Sequence, residues 1–176
     1  MQAYSKEYSQ NVKMRKEQHS RPVCGHVIYS TLTQLYRYST FMQDELRHYD
    51  AKSALNEICK IKIGGPRQAG WDRGLAQFIE SEVAYYSNTV VLCPNLQMAR
   101  TLELQIDSDM REHSDILITS VSSSDLKKRE NVDTLIFHNY DLMKKSKKTK
   151  QSLKDAKKWF FPILARQHYK YIFEIC

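Results

Sequence analysis

Gly65-Pro66-Arg67-Gln68-Ala69-Gly70-Trp71-Asp72 has the outline of a phosphate-binding loop whose two chemically essential positions are replaced. It follows a β-like run, Ile61-Lys62-Ile63, and opens a helical run, Leu75-Ala76-Gln77-Phe78-Ile79. That is the strand, glycine loop and helix context of the Walker A pattern GxxxxGK[ST]. In that pattern the lysine neutralises the β- and γ-phosphates and the hydroxyl ligates Mg²⁺. Here those two places hold Trp71 and Asp72. An indole carries no charge, and a carboxylate 4 Å from a phosphate oxygen is repelled by roughly 4 kcal/mol at an effective dielectric near 20. The loop is therefore expected not to hydrolyse ATP. The plainer alternative is a glycine turn before a helix, with Asp72 as its N-cap.

Around this loop, short β-type runs are expected at 60–63, 89–93, 115–121, 134–137 and 169–175, several nearly continuous in apolar residues as strands buried on both faces are. Helical segments are expected between most of them, at about 72–86, 95–107 and 150–166, the last interrupted by Pro162. Such βαβ alternation predicts an α/β fold with a parallel five-stranded sheet flanked by helices. Before the first strand, Leu32, Leu35, Tyr36, Met42, Leu46, Tyr49, Leu55 and Ile58 recur mainly three and four apart, which predicts an N-terminal helical extension. The domain reading is a polar basic arm over 1–28 with Arg21-Pro22 near its end, helices over 29–58, and the α/β core over 59–176.

The strand Thr134-Leu135-Ile136-Phe137 runs into His138-Asn139, where a Walker B motif would end in the carboxylates that hold Mg²⁺ and activate water. Neither residue is anionic at neutral pH. Asp133 lies before the strand and Asp141 beyond the expected position. Both halves of the catalytic machinery are thus absent by composition.

The bulk properties agree with one domain. At 176 residues the chain is long enough for a sizeable core, its apolar content is 41% and its mean hydropathy is −0.59. No apolar run approaches the ~20 residues needed to cross a bilayer, and the polar start does not read as a secretory signal, so a cytoplasmic location and no membrane partner are expected. Cys24, Cys59, Cys93 and Cys176 are scattered without a CxxC pair, which predicts reduced thiols and no metal site. The net charge of +7 is uneven. Lys144, Lys145, Lys147, Lys148, Lys150, Lys154, Lys157 and Lys158 stand against Asp155 alone, and Lys127-Lys128-Arg129 adds a smaller cluster. This pattern suits nucleic-acid phosphates and equally suits a solvated lysine face.

Over about 30–176 the chain resembles the ATPase domain of phage large terminases, a P-loop NTPase family. Gly65-Pro66-Arg67-Gln68-Ala69-Gly70 followed by Arg73-Gly74-Leu75-Ala76 is similar to that family's loop with the lysine and hydroxyl replaced. Val90-Val91-Leu92-Cys93-Pro94-Asn95 leading into Gln97-Met98-Ala99, and Trp159 to Ala165 followed by Lys170-Tyr171-Ile172-Phe173, resemble its later segments. The resemblance implies a P-loop NTPase-like sheet, a degenerate Walker A at Gly65, Arg67, Gln68, Gly70, Trp71 and Asp72, and a degenerate Walker B at His138 and Asn139. It assigns Arg67 to the γ-phosphate and the backbone of 65–72 to the phosphate cradle. The carboxylate-rich nuclease domain of complete terminases has no counterpart in these residues. The function this implies is a phage-type pseudo-ATPase without cofactor that binds nucleic acid, a phage motor protein or a host protein.

Two other readings stay open. One is a divergent ATPase with Arg67, Arg73 or Lys62 in place of the lysine and Asp72 or Asp133 as metal ligand. The other is an unrelated small basic DNA-binding factor using some of its eleven tyrosines as stacking faces. Trp71 either fills the vacated pocket or projects as an interface anchor.

Overall fold

The computed structural model describes residues 22–48, 52–64, 70–83, 87–107 and 115–176. Two helices come first, α1 (Pro22–Arg47) and α2 (Lys52–Ile58). The α/β part then runs β1 (Lys60–Ile63), α3 (Trp71–Phe78) continuing into a π-helical turn (Ile79–Val83), β2 (Thr89–Cys93), α4 (Leu96–Glu103) and β3 (Ile116–Ser120). After a 3-10 turn (Ser124–Lys128) follow β4 (Thr134–His138), α5 (Tyr140–Lys145), α6 (Lys147–Leu164) and β5 (Tyr171–Ile175).

The five strands form one sheet in the order β1-β5-β4-β2-β3. Every pairing is parallel, with Ile61 opposite Phe173, Leu135 opposite Ile172, Val91 opposite Ile136 and Val90 opposite Leu117. All residues of β2, β4 and β5 are buried, which is why these strands read as nearly continuous apolar runs, interrupted within β5 by Glu174. Alternation sends Val91, Cys93, Ile136, Tyr171, Phe173 and Ile175 to one face, where they pack with Ile28 and Leu32 of α1 and Leu75 and Phe78 of α3. Val90, Leu92, Leu135, Phe137 and Ile172 pack on the other face with Leu153, Phe160 and Ile163 of α6. Connections stepping towards β3 therefore carry their helices on one face and those stepping back on the other, as right-handed crossovers require.

Several boundaries depart from the sequence reading. The first helix begins at Pro22, not near Tyr29, because proline is favoured at the first helical position, where its missing N–H has no acceptor to lose. The long C-terminal helix begins at Lys147, with the Ser146 side chain accepting from the Thr149 amide, and the helix α5 was not anticipated at all. Residues 1–21 of the expected arm lie outside the described residues.

Candidate functional site

In an open parallel sheet, functional groups gather beyond the carboxyl ends of the strands, where the connections diverge to opposite faces. β4 and β2 are such a pair, since β2 leads to α4 on one face and β4 to α5 and α6 on the other. His138 closes β4, and α3 starts beside it on the same face. Gly70 caps α3 with φ 75° and ψ 30°, a left-handed conformation that glycine adopts at no steric cost. No side chain caps that helix among the described residues. Asp72 is thus not the N-cap but sits in the first turn, where the helix dipole favours an anion.

From there Asp72 Oδ1 reaches His138 Nε2 at 2.6 Å, across 66 positions of sequence. His138 is only 2% exposed and Asp72 44%. The hydrogen bond from His138 holds the Asp72 carboxyl below its usual range, against the opposing effect of partial burial. With Asp72 ionised, Nε2 carries the proton, and the buried Nδ1 has no hydrogen-bond partner among the described residues. Cys93, at the end of β2, lies near enough that burial and the Asp72 charge push its thiol up to about 12; it is an inert core thiol. Asn139, directly after His138, is left-handed (φ 57°) and turns the chain into α5.

The two positions flagged independently in sequence as degenerate, 72 and 138, are therefore brought into direct contact. Gly65, Arg67 and Gln68 lie outside the described residues. Trp71 is half-buried and packs against the core on the α3 side, so its indole contributes to packing there. Asp133 stands at the opposite end of β4, roughly 16 Å from His138 at about 3.3 Å per residue, and cannot share a metal with Asp72. Lys62 points to the other face of the sheet, 3.8 Å from Glu174. Among the described residues no group of three or more His, Cys, Asp or Glu side chains is arranged to hold a metal.

The lysine-rich stretch divides in two. Lys157 is not part of a free surface: its ammonium donates to Glu174 at 2.8 Å and to the Tyr140 hydroxyl at 2.7 Å, and lies over the rings of Phe137 and Tyr140. Burial opposes both charges, yet their mutual hydrogen bond lowers Glu174 and raises Lys157 from their ordinary values. Lys144 is paired with Asp141 at 2.7 Å. Lys145, Lys147, Lys148, Lys150, Lys154 and Lys158 are exposed. Of the tyrosines, Tyr36 and Tyr171 pack against each other with centroids 4.4 Å apart and rings tilted by 44°, and Tyr171 shares a hydrogen bond with Thr40. They are packing residues. The sequence missed Lys157 and Glu174 as a pair, although Lys157 stands four residues after Leu153 and three before Phe160, on the apolar side of its helix.

Comparison with protein-family models, curated proteins and solved structures finds no match. The geometry itself defines a helix-flanked, five-stranded parallel α/β sheet carrying a histidine–aspartate pair at its carboxyl edge. No helix of the described residues is long and apolar enough to cross a membrane.

Proposed function

We propose that this chain is a terminase-like P-loop fold whose nucleotide site has been closed, and that it acts by binding a partner rather than by turning over nucleotide. The observation that carries this reading is the Asp72–His138 hydrogen bond of 2.6 Å. In an active enzyme of this type, the hydroxyl after the lysine and the carboxylate at the neighbouring strand end serve one Mg²⁺. Here an acid occupies the loop position and an imidazole the strand position, and the Asp72 carboxylate accepts the Nε2–H of His138. Mg²⁺ takes hard oxygen ligands, whereas His138 presents an N–H at this point. The α3 amides that would attract a phosphate already have an anion, Asp72, in their first turn.

Calorimetric titration with ATP and Mg²⁺ tests the reading. The expected result is no binding heat and no phosphate release. Micromolar affinity with measurable release would overturn it and favour a divergent ATPase using Arg67 or Arg73. In the double variant Trp71→Lys, Asp72→Thr, nucleotide binding is expected to appear with little hydrolysis, because His138 and Asn139 still supply no carboxylate.

A further inference from the structure

We propose that the free edge of β1 takes up an extended acidic segment of a partner protein as an added strand of the sheet. This gives a partner to the binding role proposed above and rests on it. β1 stands at the end of the strand order and pairs only with β5. Towards β5, the carbonyls of Cys59 and Ile63 accept from the Ile172 and Cys176 amides at 2.8 and 2.9 Å. Backbone groups alternate in direction along a strand, so the N–H and C=O of Lys60 and Lys62 point the other way, out of the sheet. None of these outward groups has a hydrogen-bond partner among the described residues.

The side chains of β1 select what such a strand must carry. Ile61 and Ile63 pack into the core on one face, while Lys60 and Lys62 are exposed on the other. Lys60 lies over the Phe161 ring, and Lys62 reaches only Glu174 at 3.8 Å, a carboxylate that Lys157 already holds at 2.8 Å. An incoming strand with acids on the lysine face and apolar residues on the other matches both faces. A second copy of the chain is disfavoured, because β1 paired with its own copy is antiparallel and sets lysine directly opposite lysine. A nucleic-acid backbone is disfavoured because its phosphates offer no donors to the outward carbonyls. The other sheet edge, β3, has no charged residue in Ile116–Ser120 by which to choose a partner. Edge lysines also keep like edges apart, and that protective role alone predicts no uptake of an acidic strand.

The test uses the full chain with a short labelled peptide of alternating glutamate and valine, a lysine and valine counterpart, and oligodeoxythymidine, with ATP titrated on the same preparation. Fluorescence anisotropy is expected to show binding of the glutamate peptide and none of the lysine peptide. Amide hydrogen exchange at Lys60 and Lys62 is expected to slow at least about tenfold when the glutamate peptide is bound. N-methylating either its glutamates or its valines, whichever amides face β1, is expected to lower affinity at least about tenfold. Lys60→Gln with Lys62→Gln is expected to lower it roughly fivefold or more, with circular dichroism unchanged. No binding at low salt, tolerance of both methylated peptides, unchanged exchange at the two lysines, or equal affinity of the Gln variant would each overturn the proposal. The same protection given by oligodeoxythymidine, or by self-association of the free chain, would overturn it too. ATP binding with turnover would instead sink the closed-site reading.

Discussion

At the scale of single residues, the histidine–aspartate pair is a stability element with a direction in pH. Asp72 titrates below its usual value because His138 donates to its charged form, with partial burial opposing. Its contribution is therefore complete above the unfolded carboxyl value and disappears as pH falls through the lower folded one. A double-mutant cycle of Asp72→Ala and His138→Ala, read by urea unfolding at neutral pH, should give a coupling of about 1 kcal/mol. That lies below the usual range for a charged hydrogen bond because the half-exposed carboxylate is screened by solvent. Additive losses would mean the two groups do not interact. Gly74 makes the opposite kind of demand, for space. A Cβ there would lie 2.6 Å from the Gly25 carbonyl oxygen and 2.7 Å from the Ile28 Cβ, so α1 crosses α3 against bare backbone. In an open helix Gly→Ala gains up to about 1 kcal/mol. Here Gly74→Ala should instead cost about 1–3 kcal/mol by overpacking, and a stabilised variant in the same urea assay would show that the crossing is not close.

At the scale of elements, the sheet's second face depends on a charge buried in a strand. Glu174 of β5 is buried, with Lys157 of α6 at 2.8 Å and the far more exposed Lys62 of β1 at 3.8 Å. Removing Lys157 strands the carboxylate, so Lys157→Ala should cost about 3–5 kcal/mol in chemical unfolding, while Lys157→Ala with Glu174→Gln should recover part of that loss. No recovery would mean that packing, not charge, is what Lys157 supplies. This pair also marks where the sequence ceases to be readable. Strands β2, β4 and β5 were legible because burial on both faces makes Thr89–Cys93, Thr134–His138 and Tyr171–Ile175 almost wholly apolar. Helix α5 and the 3-10 turn were not, since segments this short carry no full period and owe their shape to packing. The lysine run hid the start of α6, where a charge-rich stretch reads as loop until the Ser146 cap is seen. Residues 72 and 138 each stood out in the sequence, one after a glycine loop and one at a strand end. That one answers the other followed only from a topology that sets the end of β4 beside the start of α3.

At the scale of the whole molecule, the first described helix secures the last strand. β5 lies between β1 and β4, so the sheet closes only when the final segment inserts, and α1 holds that segment at its start. Gln43 is completely buried. Its amide donates to the Lys170 carbonyl at 3.0 Å, and its carbonyl accepts from the Lys170 N–H at 3.1 Å, as a neighbouring strand would. Thr40 meets the Tyr171 hydroxyl at 2.7 Å, and Ser39 donates to the Ile58 carbonyl. With Ile28 and Leu32 in the same core as Leu75, Phe78 and Phe173, α1 is a structural layer and not an appendage. A chain beginning at residue 49 should therefore show no cooperative thermal transition, because one face of β1 and β5 would be left in water. Gln43→Ala in the full chain should be milder, about 2 kcal/mol, the cost of leaving the Lys170 amide and carbonyl without their buried partners. If the shortened chain melted cooperatively near the temperature of the full one, α1 would be dispensable. The α/β part would then have to cover its own sheet by some rearrangement of α2 or α3, visible as altered exchange protection in Leu75 and Phe78.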